Sequence, residues 1–123
     1  MTFPTPLLDA RLTREKQQNE VDRLRILQAT TDWLTQNAAR YGVKTGYIFG
    51  SVTTPDRFTA RSDVDLAVET FKVGDVCSLL SVLSTHLNRD VDVVPLDQCH
   101  FAPKIRRVGI AWTAKELPDS PLS

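Results

Sequence analysis

The sequence predicts an α+β fold, a mixed sheet packed by helices, and two observations lead to it. Segments with apolar residues at the helical period alternate along the chain with short apolar runs bounded by glycine, proline or polar residues, which is the pattern of strands. The length of 123 residues is typical of one domain with a single core. We therefore expect one compact domain in which helices cover a sheet.

The N-terminal third is predicted to form one long helix after a loose arm. Residues 1–12 contain two prolines and no helical period, so an irregular arm is expected there. From Thr13 to Gly42 apolar residues recur near the helical period, and the glycine can end the helix: Val21, Leu24, Leu27, Leu34 and Ala38. These residues and Trp33 need burial, so we expect packing on the chain's own sheet, with a partner's groove as the alternative.

The rest of the chain is predicted to alternate between strands and helices, ending in a frayed tail at residues 116–123. In order, the patterns indicate a strand at 47–49, a helical turn and polar loop at 52–62, a strand at 64–68, a break at Gly74-Asp75, a helix at 76–87, a strand at 91–94 stopped by Pro95, a short helix at 102–107 and an apolar strand at 110–112.

Charge and hydropathy set limits on the function. Fifteen basic side chains balance fifteen acidic ones, so no overall field favours nucleic acid or a membrane surface. The apolar runs are too short to cross a bilayer, and the first residues lack a secretory signal, so we expect a cytoplasmic protein. Cys77, Cys99, His86 and His100 lack the spacing of a zinc site, and we assign them no chemistry.

Two acids at the start of the strand at 64–68 are the most unusual feature of the sequence. Asp63 and Asp65 project from the same face of an extended chain, and aspartate is depleted from strands. Two close carboxylates repel by roughly 1 kcal/mol even in water. A hard divalent ion, most simply Mg²⁺, would relieve this repulsion. The alternative is a solvated polar pair.

Two further features lie before and after this pair. Gly50-Ser51 stands where a strand gives way to a helical turn, and such a turn offers unpaired backbone N–H groups to a phosphate, unless it is an ordinary turn. Asp92 lies between valines on a later strand and can complete a cluster of three carboxylates. Asp90 would point to the same face, so spacing alone leaves both open. We prefer Asp92, because Asp90 lies at the strand's entry beside Arg89.

The order of these features resembles the minimal nucleotidyltransferases of the DNA polymerase β-like superfamily. Their pattern is Gly-Ser, about ten residues, Asp-x-Asp, and later an Asp between apolar residues. Here Gly50-Ser51, Asp63-Val64-Asp65 and Val91-Asp92-Val93 match it, and the resemblance covers roughly residues 45–113, including the closing "IRRVGIAW". Eleven residues separate Ser51 from Asp63, one more than is commonest in the family.

The resemblance implies a nucleotidyltransferase fold over residues 23–115, with residues 1–22 as an N-terminal arm and helix start that could be a docking element. It implies two Mg²⁺ ions as cofactors and ATP as substrate. Asp63 and Asp65 would be metal ligands, Asp92 a ligand and base, and Gly50 with Ser51 would contact the phosphates. The loop residues Arg57 and Arg61 would steady phosphates or remain solvated.

The resemblance also suggests a partner. Minimal members of the family are commonly encoded beside a HEPN-domain protein and act as antitoxins, transferring AMP from ATP to a tyrosine of that ribonuclease toxin. We therefore expect a hetero-oligomer with a HEPN partner and no direct nucleic-acid or membrane contact. Two alternatives remain: an inert module that inhibits its partner by binding alone, and a transferase acting on a small molecule.

Overall fold

Three helices and four strands make up the computed structural model, which describes residues 6–69 and 73–116. They are α1 Pro6–Asn37, β1 Thr45–Phe49, β2 Val64–Val68, α2 Val73–Leu87, β3 Val91–Pro95, α3 Ala102–Val108 and β4 Ile110–Thr113. Short 3-10 turns follow α1, β1 and β3, at Ala38–Tyr41, Ser51–Thr53 and Leu96–Gln98. The predicted order of elements and the α+β class are confirmed.

The four strands form one mixed sheet in the order β3-β2-β1-β4. Strand β1 is antiparallel to both of its neighbours, β2 and β4. Strands β2 and β3 are parallel, and α2 makes the crossover that a parallel pair requires. Among the described strands β2 and β3 are the only parallel pair, and each has an aspartate as its second residue, Asp65 and Asp92.

The two faces of the sheet are covered unequally. Side chains of α1 and α2 pack on one face in the main core, which includes Leu34, Ile48, Leu66 and Leu83. On the other face α3 builds a smaller cluster around four buried residues: Ala67, Leu96, Ala102 and Ile105. Because α3 has only seven residues, it leaves the ends of β2 and β3 that carry the acids uncovered.

The first helix begins earlier than the sequence predicted. Residues 6–12 were expected to belong to a loose arm, but α1 begins at Pro6. Proline is well tolerated at the first helical position, and the following residues are mostly strong helix formers, so local propensity extends the helix where no apolar period exists. Residues 1–5, and 117–123 of the expected tail, lie outside the described part of the chain.

The buried face of α1 also differs from the predicted stripe. Val21 and Leu24 are exposed, at 59% and 55%, whereas Ile26 is only 2% exposed. Leu24 lies two residues before Ile26, about 200° around the helix, so the two cannot share a face. Trp33 is 8% exposed and belongs to the main core, so this half of the helix packs on its own sheet as expected.

The second helix likewise starts before its predicted position. Gly74 and Asp75 were expected to break the chain, but both lie in the first turn of α2, which begins at Val73. An acidic residue in a first turn is favoured by the helix dipole, which explains why Asp75 is compatible with a helix here. The expected apolar stripe is confirmed, with Val76, Leu79 and Leu83 buried.

Candidate active site

Three aspartates meet at the uncovered end of the parallel strand pair. Asp65 is the second residue of β2, Asp92 is the second residue of β3, and the two are direct partners in the parallel register. Partners in register project from the same face of the sheet. Asp63 lies two residues before Asp65, immediately ahead of β2, and is exposed. The fold therefore brings Asp63, Asp65 and Asp92 together.

The register distinguishes the two acids that the sequence left open. Asp90 precedes β3, and its backbone carbonyl accepts a hydrogen bond from the N–H of Val64 at 3.0 Å. Asp90 thus lies two residues before Asp92, level with Asp63, whereas Asp92 lies beside Asp65. Asp92 is the acid that the strand pairing places next to the centre of the cluster.

The cluster carries uncompensated negative charge. Burial raises the pKa of the Asp65 carboxyl, and the negative charges of Asp92 and then Asp63 raise it further. The ion pairs found among the described residues involve none of these three carboxylates. Within the described residues these carboxylates therefore have no ion-pair partner, although Arg61 lines the same cleft as Asp63.

Gly50 lies against this cluster and has no room for a side chain. Its φ of 82° is in the left-handed region that favours glycine, and a Cβ built there would collide with the Oδ2 of Asp65. Its carbonyl accepts hydrogen bonds from the backbone N–H and the hydroxyl of Thr53, at 3.1 and 2.8 Å, and from the hydroxyl of Thr54 at 3.1 Å. Ser51 follows as the first residue of the 3-10 turn. The Gly-Ser turn and the acids form one continuous site.

The two loop arginines occupy different positions around the site. Arg61 lines an open cleft of about 570 Å³ together with Asp63, Arg89 and Asp90. Arg57 is exposed on the turn that its backbone N–H closes onto the carbonyl of Thr54 at 3.2 Å. Neither guanidinium forms an ion pair within the described residues. Arg61 thus borders the cluster in this cleft, and Arg57 is exposed to solvent.

A supporting role of Arg89 was missed from the sequence. Its Nη1 donates to the carbonyls of Thr59, Ala60 and Ser62, at 3.1, 3.4 and 2.7 Å. Its guanidinium also lies 4.4 Å from the ring centroid of buried Phe58. Arg89 therefore ties the loop that leads into Asp63 to the start of β3. The only sequence signal was a basic residue beside "DVDVV".

A second support comes from α1. Buried Arg23 forms an ion pair with Glu20 at 2.9 Å and donates to the carbonyl of Val52 at 3.3 Å. Glu20 in turn accepts the backbone N–H of Asp56 at 2.9 Å. The ion pair of Arg23 and Glu20 therefore holds both ends of residues 52–56, the segment that follows Ser51. An acid and an arginine three residues apart on a helix gave the sequence signal, but their targets 29 and 36 residues away gave none.

The carboxylates of the cluster are not arranged as a ready-made magnesium site. Within residues 6–69 and 73–116, no three His, Cys, Asp or Glu side chains are arranged as they would be around a bound metal ion. Asp63 and Asp92 are exposed, however, and have room to change rotamer. Carboxylate oxygens are the ligands that Mg²⁺ takes in phosphate-transferring sites. The donor chemistry fits Mg²⁺, and these side chains would have to turn toward a common point to bind it.

Comparisons with known proteins give one structural likeness. A solved structure described as "Crystal structure the toxin-antitoxin MntA-HepT" is similar to this chain. The match has a TM-score of 0.43 and 20% sequence identity, and it covers 78% of this chain and 73% of that one. No protein-family model and no curated protein matches the sequence. At this level of similarity, the match assigns no role to any residue.

None of the described helices combines the length and the apolar character that a membrane span requires.

Proposed function

We propose that this chain is a Mg²⁺-dependent nucleotidyltransferase that transfers AMP from ATP to a tyrosine of a HEPN ribonuclease and thereby acts as its antitoxin. One observation carries the proposal: Asp63, Asp65 and Asp92 lie together beside Gly50, and no ion pair among the described residues neutralises them. A cluster of this kind is costly unless it binds cations, and a nucleotide triphosphate is a natural ligand of such cations. The partner and its tyrosine come from the family resemblance.

Each residue has a chemical task in this proposal. Asp63, Asp65 and Asp92 would hold the Mg²⁺ ions that bind the triphosphate. When bound, the ions offset the charge of the phosphates and acidify the acceptor hydroxyl. Asp92 takes the proton of that acceptor hydroxyl, and the hydroxyl oxygen bonds to the α-phosphorus of ATP. The bond from the α-phosphorus to the oxygen that bridges to the β-phosphate breaks, and pyrophosphate leaves. The backbone N–H groups of the Gly50-Ser51 turn bind the departing phosphates.

Transfer of this kind would silence a ribonuclease by electrostatics and by bulk. A nucleotide attached near the catalytic groups of the toxin adds negative charge where the RNA phosphates bind. The product therefore repels the RNA and occludes its site.

An exposed N-terminal half of α1, with Leu7, Leu12 and Val21 at the surface, provides area for contact with a partner.

Intact-mass spectrometry tests the proposal directly. A candidate HEPN partner, recognised by an R-x4-6-H motif in a neighbouring reading frame, is incubated with this protein, ATP and Mg²⁺. The expected result is a mass gain in whole AMP units. The gain is expected to vanish with the Asp63→Ala, Asp65→Ala variant and to persist with Asp97→Ala, which removes an exposed acid outside the cluster.

The same experiment addresses the binding-only alternative. An unchanged mass together with a stable complex would show that the chain inhibits by contact and that the acids do not transfer a nucleotide. An unchanged mass without a complex would remove both the transferase and the antitoxin assignment for that partner.

A further inference from the structure

We propose that a cavity beside Gly50 receives the base of the bound nucleotide, an inference that rests on the proposed nucleotidyl transfer. The cavity has a volume of about 380 Å³, and Phe49, Phe101 and Ile105 line its apolar side. Small-molecule pockets of roughly 300 to 1,000 Å³ with mostly apolar walls are typical of proteins. None of these three side chains takes part in the chemistry assigned to the acids.

The cavity and the acids lie on the same side of the sheet. Phe49 pairs with Asp65 in the antiparallel register of β1 and β2, so both side chains project from one face. Gly50 lines the cavity and also lies against the Oδ2 of Asp65. A ligand whose phosphates bind at the Gly-Ser turn therefore has an apolar recess next to that turn.

The aromatic walls suit a flat ring. Phe101 is 39% exposed, which is unusual for a phenylalanine, and a ligand that covers it removes apolar surface from water. The Phe49 and Phe101 rings are 6.5 Å apart between centroids and inclined by 62°, so they meet at an edge and are not stacked face to face on each other. Nucleobases stack on such rings whatever their hydrogen-bonding pattern.

The rim of the cavity suits the polar part of a nucleotide. Lys104 lies one helical turn after Phe101 and lines the cavity as an exposed side chain. Thr54 also lines the cavity, and its hydroxyl donates to the carbonyl of Gly50 at 3.1 Å. A cation and a hydroxyl next to an aromatic wall favour an anionic ligand with a planar ring over a purely apolar one.

Equilibrium binding of two probes by calorimetry tests the inference. The full-length chain is titrated with ATP and with inorganic tripolyphosphate, which has no base, each in the presence of Mg²⁺. Replacing Phe101 by alanine should weaken ATP binding about 5- to 150-fold, the equivalent of the roughly 1–3 kcal/mol of one stacked base. Tripolyphosphate binding should change less than about twofold. Phe101→Trp should retain ATP binding, and Val82→Ala, which removes an exposed apolar side chain from α2, should leave both unchanged.

Each contrary result has a distinct meaning. Equal weakening of ATP and tripolyphosphate, or no change in either, would overturn the inference and leave the proposed transferase intact. Unchanged ATP binding with lost transfer to the partner would assign the cavity to the acceptor side chain instead. A wild-type chain that binds neither probe would refute the proposed function and the inference together. Circular dichroism and thermal unfolding check that each variant is folded.

Discussion

Asp65 and Asp92 are direct neighbours in the sheet, paired across two parallel strands. The pairing places two carboxylates side by side in a position where Asp65 is half-buried, and the pKa of Asp65 rises through burial and the charges of Asp92 and Asp63. A protein gains no stability from this arrangement without a cation. The neighbouring Gly50, which is held against Asp65, links the acids to a turn that can bind phosphate.

Substitution of the third acid should separate Asp92 from Asp90. Asp92→Asn is expected to lower the rate of nucleotide transfer about 10²- to 10⁴-fold, the usual contribution of a general base. Asp90→Asn should lower it less than about tenfold, because Asp90 lies opposite Asp63 and contributes its backbone carbonyl to the sheet. Both variants are compared by initial rates on the same partner protein. A larger loss with Asp90→Asn would exchange the two assignments.

The raised pKa of Asp65 predicts a pH-dependent stability. The folded state binds a proton at Asp65 more tightly than the unfolded chain, so ionised Asp65 destabilises the fold near neutral pH, and protonation removes that cost. Without divalent ions, Asp65→Asn should therefore be more stable than the wild type at pH 7, by up to the order of 1 kcal/mol for one close repulsion in water. The difference should shrink as the pH falls through the raised pKa of folded Asp65 and disappear below the ordinary aspartate pKa of about 3.9.

Urea unfolding measured with and without Mg²⁺ checks this expectation. Excess Mg²⁺ should stabilise the wild type and not the variant, since a ligand that binds only the folded state raises its free energy of unfolding. Asp97→Asn serves as the matched control and should follow the wild type. If Asp65→Asn is less stable than the wild type in metal-free buffer at pH 7, Asp65 is a structural residue.

Alanine at Gly50 should disturb the fold more than alanine at Gly42. Both glycines have a positive φ, of 82° and 75°, so each substitution carries a backbone strain of about 1–2 kcal/mol. At Gly42, the nearest atom to an added Cβ is an Asp75 oxygen at 3.6 Å, an ordinary contact, whereas at Gly50 the Cβ would displace the Asp65 carboxylate.

Denaturant unfolding and activity together isolate the contact with Asp65. Gly50→Ala should lower the free energy of unfolding further than Gly42→Ala and should also abolish transfer, while Gly42→Ala remains active. Equal losses of stability with activity retained in both variants would show that the side chain of Asp65 moves aside freely.

Removing Arg89 should loosen the loop before Asp63. Arg89→Ala leaves three carbonyls without their donor and removes the contact with the ring of Phe58, so the free energy of unfolding should fall by about 2 kcal/mol. Arg57→Ala, in the same loop, should change it by less than about 0.5 kcal/mol, because its side chain is exposed. Thermal or urea unfolding measures both variants. Similar effects of the two would mean that the bonds of Arg89 are exchanged for water at no cost.

The amino-acid sequence alone predicted the order and kind of the elements and the face shared by the two acids of the D-x-D pair. These follow from short-range causes: the period of two in a strand, the helical period of α2, and the need for glycine at a turn such as Gly50. Where local propensity acted without an apolar pattern, as at residues 6–12 of α1, the prediction was wrong.

Which residues meet in the site depends on contacts between segments that are distant in the sequence. The parallel register of β2 and β3 places Asp92 beside Asp65, although strand periodicity treats Asp90 and Asp92 alike. The bonds of Arg89 to the loop 27 to 30 residues before it, and the burial of Ile26 in place of Leu24, depend on how α1, α2 and the sheet pack. Local sequence preferences act over a few residues, whereas register and packing are set by contacts between distant segments, so only the folded chain assembles the site.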